Sequence, residues 1–181
     1  MGMGQPSGWP QRAGTGPSTP APNPARADPV GATVLVIAGT AGVAQLFLPW
    51  RRAPVVGAAP AGDHGSTTGW QLYRVLRAIP DPGFELSAAM YAVLAVAVGG
   101  GALILLALAL LLPIDHRPIG VAALMISGLS VLGGCWMLVR ARSVFQVGVS
   151  GLFGQAQIGW YVFLAAGLIG VIGSLKALAR G

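Results

Sequence analysis

Few side chains in this 181-residue sequence are equipped for chemistry. Asp115, His116 and Arg117 form the one dense charged cluster, and His64, the other histidine, lies about fifty residues away in a different connection. An intramembrane metalloprotease needs two His beside a Glu, an aspartyl protease needs two intramembrane Asp, and a serine enzyme needs a base next to its nucleophile. None of these arrangements is present, so no catalytic, cofactor-binding or metal-ligating residue is assigned and the chain is read as non-enzymatic, with no cofactor. A polar turn over 115–118 needs solvated residues of this kind for structural reasons alone. Cys135 is the only cysteine, which excludes an intramolecular disulfide and a zinc site of several thiolates. Between Gly134 and Trp136 it reads as a small buried hydrophobe.

The elements that would position such residues are apolar helices. Charged residues make up 9% of the chain, against about a quarter in an ordinary soluble domain, too few to solvate the surface of a water-soluble fold this size. A span needs about 20 apolar residues to cross ~30 Å of hydrocarbon. Four stretches qualify: 31–49, 87–112, 119–139 and 158–175. The fold class is therefore an all-α membrane protein, a four-helix transmembrane bundle occupying 31–181 behind a tail over 1–30. That tail holds seven of the fourteen prolines and reads as disordered. Aromatic residues near span ends, Trp50, Trp136 and Trp160, together with Trp70 in the loop over 50–86, are read as interface anchors.

Between helices in lipid, small residues permit close approach. Ala92, Ala95, Gly99 and Ala102 form one stripe and Ala166, Gly170 and Ser174 another, while Ala38 with Gly42 and Ser130 with Gly134 repeat the spacing. These are the helix-packing candidates. The succession Gly99, Gly100, Gly101 is read as a close-packing or flexible point. No span carries an ionisable side chain, and the polar exceptions Thr40, Gln45, Ser127 and Ser130 serve hydrogen bonding between or within helices.

The formal net charge of +6 is spread over tails and loops without the clustering that nucleic-acid binding requires. The partners implied are the lipid bilayer and either another membrane protein or a second copy of the chain. Within the 50–86 loop the first half reads as coil. Over 70–79 (WQLYRVLRAI), Leu72, Tyr73, Leu76 and Ile79 recur at helical spacing opposite Gln71, Arg74 and Arg77, which predicts a short amphipathic helix on the membrane surface. Basic residues nearly tie between the two faces: Arg12, Arg26, Arg117, Lys176 and Arg180 against Arg51, Arg52, Arg74, Arg77, Arg140 and Arg142.

LFLPW at 46–50, TGWQLYR at 68–74 and GWYVFLAAGLIGVIG at 159–173 resemble a group of small actinobacterial four-span membrane proteins. Among named families the chain is most similar to the tryptophan-biosynthesis-associated membrane proteins, with a span closing on Pro-Trp, a loop and three further spans. The resemblance implies cytoplasmic termini in the plasma membrane and carries over no catalytic residue. The function expected is a non-enzymatic accessory or scaffold protein; the alternative is a small transporter or channel-like protein.

Overall fold

The computed structural model describes residues 27–52, 66–113 and 115–180. Most of the tail expected to be disordered, 1–26, lies outside the described residues, as do His64 and the rest of 53–65. Among these described residues nine elements follow in chain order: helix α1 (Pro29–Ala44), strands β1 (Pro49–Arg51) and β2 (Thr67–Thr68), then helices α2 (Gly69–Ala78), α3 (Gly83–Ala109), α4 (Arg117–Val139), α5 (Ala141–Phe145), α6 (Val149–Gln155) and α7 (Ile158–Arg180).

Three of the helices, α3, α4 and α7, are long and apolar enough to cross a membrane. The first expected span, 31–49, is shortened: α1 ends at Ala44 after 16 residues, about 24 Å of rise. It stops because the next residues are engaged elsewhere. The Gln45 side chain is fully buried and donates to the Val93 carbonyl at 3.3 Å. Trp50 Nε1 takes the Gln45 carbonyl at 2.8 Å, and the Trp70 amide takes that of Leu46 at 2.8 Å. Short-range bonds continue to Leu48, whose amide reaches the Ala44 carbonyl at 3.3 Å.

The four long elements pack as an antiparallel ring. Gly39 and Gly42 of α1 meet Gly100 of α3, Gly99 of α3 meets Ile126 of α4, Gly170 of α7 meets Ser127 of α4, and Gly173 of α7 meets Leu35 of α1. A Cβ on Gly100 would stand 2.6 Å from the Gly39 carbonyl oxygen and 3.1 Å from Gly42 Cα, so this seam brings backbone against backbone. The outer surface is an apolar belt: Val98, Leu105, Met125, Leu129, Leu132 and Ile172 are each more than 60% exposed. A surface of this kind suits hydrocarbon rather than water.

Above one end of the ring the connections fold into a cap. Strands β1 and β2 pair antiparallel through Pro49–Thr68 and Arg51–Thr67, an irregular two-stranded ribbon in a loop read as coil and in a fold read as all-α. Arg51 also bridges Ala156 after α6, which ties the ribbon to the segment ahead of α7. Helix α2 starts on a capping box, the Thr68 hydroxyl accepting from the Gln71 amide while the Gln71 side chain accepts from the Thr68 amide. Its Leu72 and Leu76 are buried against Ala89 and Val93 of α3, and Arg74 and Arg77 point outward.

Candidate functional site

The cap is where chemistry-bearing side chains converge, and its centre is aromatic. Trp50 of β1 lies edge-on to Trp160 of α7 at 5.5 Å between ring centroids and tilted against Phe163 at 4.9 Å. Phe145 of α5 closes the group edge-on to Trp160 at 5.8 Å. Such geometries match the ring quadrupoles and add to the area buried. Gly159 makes the arrangement possible, since a Cβ there would come within 2.6 Å of Trp50 Cδ1 and 2.8 Å of the Pro49 carbonyl oxygen.

This placement differs from the anchor role expected of the tryptophans. Trp50 and Trp160 are 3% and 1% exposed and face one another rather than a headgroup layer. The ribbon carries Trp50 back over α7, and the rings together bury more area than they would singly at an interface. Trp70 is exposed and stacks on Tyr73 at 5.3 Å. Trp136 is half-buried near the end of α4, with Phe84 edge-on at 5.7 Å and the Arg140 guanidinium 5.4 Å over its ring.

Around the aromatic centre lies a polar shell. Arg51 is buried; its Nε donates to Gln155 Oε1 at 2.6 Å and its Nη1 to the Phe145 carbonyl at 3.0 Å. Loss of hydration on burial lowers its pKa from the ordinary arginine value. Backbone bonds lace the same region, from the Arg52 amide to the Gln155 carbonyl at 3.1 Å and from the Gln157 amide to the Trp50 carbonyl at 2.9 Å. Arg140 pairs with Glu85 at 3.0 Å, joining the end of α4 to the start of α3. Sequence reasoning missed both Arg51 and Gln155 as a pair. Arg51 entered only as one of six basic residues on a face, and nothing local links it to a glutamine 104 positions later.

The packing candidates divide. Ala166, Gly170 and Ser174 are all buried within the ring, Gly170 against Ser127 and the Ser174 hydroxyl on the Gly170 carbonyl at 2.7 Å. Gly99 is buried against α4 and Ala92 faces Gly133, whereas Ala102 is half-buried and Ala95 is exposed. The backbone-tight position is Gly100, one residue off that stripe. Helix α3 runs unbroken through Gly99, Gly100 and Gly101, and a Cβ on Gly101 would touch nothing within 4 Å.

At the opposite end His116 is 3% exposed rather than solvated, its Nε2 3.1 Å from the Leu110 carbonyl, which also accepts from the Asp28 amide at 3.1 Å. The last carbonyls of α3 lack helical partners, and this imidazole and amide supply them. Asp115 and Arg117 stay outside, the Asp115 carboxylate accepting from the Arg117 amide at 3.0 Å. Cys135 is exposed on the outer surface of α4 and not buried, because the inward positions beside it are taken by Gly134 and Met137. Among the described residues no three His, Cys, Asp or Glu side chains gather as a metal site would require.

No family model, curated protein or solved structure matches this chain.

Proposed function

We propose that the chain is a four-span protein of the plasma membrane with both termini in the cytoplasm, and that it acts as a non-enzymatic accessory or scaffold whose recognition surface is the cap. Helix α1 serves as the fourth span. Its 16 residues are extended by the turns through Leu48, which brings its apolar length close to the ~30 Å of a hydrocarbon core. The observation that carries the functional reading is the contrast between a ring interior sealed backbone to backbone at Gly39, Gly42 and Gly100 and an ordered cap projecting Trp70, Arg74, Arg77 and Phe153 outward. A conduit needs polar groups along its path, and the buried polar side chains of the four spans here are Gln45, which donates to the Val93 carbonyl, and Ser127, Ser130 and Ser174, two of which bond their own helix.

Photo-crosslinking groups placed at Trp70, Arg74 and Phe153 in native membranes test the reading. A discrete adduct of defined mass, either with another membrane protein or with a second copy, is the expected result. Adducts to lipid alone at every position, together with solute flux in proteoliposomes, would sink it. Orientation is read separately by labelling a cysteine at Ser66 with an impermeant reagent in intact cells, after Cys135 is replaced; labelling places the termini inside.

A further inference from the structure

Among the described residues, Arg51 brings a positive charge into the cap without a negative one beside it. The residue is 8% exposed, and the acceptors at its Nε and Nη1, a glutamine side chain and a backbone carbonyl, are both neutral. The ion pair formed among the described residues joins Arg140 to Glu85 and leaves Arg51 aside. A buried ion without a counter-charge is strongly destabilising, and neutral hydrogen bonds offset only part of the lost hydration. A guanidinium presents five N–H donors in one plane, in a fork that matches carboxylate and phosphate oxygens. Two of those donors are used here, and none of the Arg51 nitrogens is both sealed from solvent and unpaired among the described residues.

Position narrows the choice of anion. Arg51 follows two residues after Pro49, where the chain leaves α1 and crosses the first turn of α7. Phe47 is 71% exposed close by in sequence, and Trp70, whose amide is bonded to Leu46, is 44% exposed. Exposed rings at the ends of apolar helices mark the headgroup layer. The next residue, Arg52, is exposed, as are Arg74 and Arg142 elsewhere in the cap, so the charge of this end of the molecule favours anions.

We propose that Arg51 anchors a binding site for an oxyanion, the phosphate of an anionic phospholipid, gripped by the outer edge of its guanidinium at headgroup depth. The proposal rests on the membrane assignment and not on the accessory role, and recovery of the chain in nanodiscs tests the first separately from the site.

The full chain is reconstituted in nanodiscs of phosphatidylcholine alone or with phosphatidylglycerol, then followed by native mass spectrometry and by thermal unfolding. The wild type retains one phosphatidylglycerol and unfolds at a higher temperature when it is present. R51Q binds it about tenfold more weakly, the factor expected for loss of a charge-assisted pair, while R52Q and R74Q, which remove exposed and screened charges, weaken it by less than about twofold. Q155E keeps the guanidinium and the shape of its partner but supplies a carboxylate at Nε. Its Tm in phosphatidylcholine rises above that of the wild type, and the increment from phosphatidylglycerol disappears. Equal retention by wild type and R51Q, or an undiminished increment in Q155E, overturns the proposal. Inorganic phosphate that protects the detergent-solubilised chain as well as phosphatidylglycerol does would overturn the lipid source in favour of a free anion. D63N that destabilises the wild type but not R51Q would make Asp63 the counter-charge and overturn the site altogether.

Discussion

The seam between α1 and α3 and the cap over the ring's end are held by opposite means. At the seam, Gly39, Gly42 and Gly100 contribute by having no side chain, so two backbones approach to within contact. In the cap, Trp50, Trp160, Phe145 and Phe163 contribute by having the largest ones. In the membrane setting proposed above, the difference follows from the surroundings. Lipid tails are as apolar as a leucine side chain, so helices inside them gain little from hiding apolar area and depend on close dispersion contacts. Where the chain leaves the hydrocarbon, water returns, and burying an indole again contributes several kcal/mol.

The largest effect should come from the cap. Trp50→Ala is expected to cost about 3–5 kcal/mol, as large aromatic truncations in closed cores do, because it removes two ring contacts and the bond from Nε1 to the Gln45 carbonyl. Trp50→Phe retains ring area and loses the bond, so it should recover most of the stability and leave a deficit of about 1 kcal/mol. Exposed Trp70 provides the contrast: its replacement by Ala should cost less than about 1 kcal/mol. Reversible unfolding in mixed micelles, followed by tryptophan emission for Trp70→Ala and by circular dichroism for all three variants, ranks them. Equal losses for Trp50→Ala and Trp70→Ala would end the distinction between a buried aromatic centre and an outer surface.

The seam should respond next. Gly100→Ala places a methyl against the Gly39 carbonyl and the Gly42 backbone, neither of which can swing aside, and overpacking of this kind costs about 1–3 kcal/mol. Gly101→Ala meets open space and exchanges glycine for a better helix former, so it should be neutral or slightly stabilising, within about 1 kcal/mol. The pair separates packing from flexibility. If the three successive glycines acted as a hinge, Gly101→Ala would stiffen it and alter function without loss of stability; if they act through the seam, only Gly100→Ala matters.

How much of this was legible in the sequence depends on the range over which each feature is determined. The three long helices and α2 are local: their apolar runs, prolines and the Thr68–Gln71 box lie within one element. The early end of α1 is not local, because it depends on Val93, Trp50 and Trp70 competing for residues 45 and 46. The seam at Gly100 was obscured because small residues are so frequent that several stripes fit the spacing, and only the partner helix selects among them. Burial of Trp50 and Trp160 was hidden for a related reason. A tryptophan at a span end is compatible with an interface anchor or with a cap core, and the ribbon that decides between them is set by pairing of Arg51 with Thr67 and Ala156. The Arg51–Gln155 contact spans most of the chain and leaves no periodic trace.

The smallest effect tests whether the cap's edge contributes to holding the ring together or merely decorates it. Arg140 pairs with Glu85 at 3.0 Å and lies 5.4 Å over the Trp136 ring, linking the last turn of α4 to the first turn of α3. Both side chains are more than a third exposed, at 45% and 36%, so water and salt screen the attraction. Glu85→Gln is therefore expected to cost less than about 1 kcal/mol, falling toward zero at high salt. Arg140→Gln removes the cation over Trp136 as well and should cost slightly more, by about 0.5–1 kcal/mol at an exposed site. The excess of the second variant over the first should survive salt that abolishes the first. An excess that vanishes with salt would mean that the ring contact is incidental and that the ion pair alone joins the two helices there. A Glu85→Gln loss as large as that of Gly100→Ala would place this end of the cap on the same footing as the seam, and the contrast between the two regions would fail.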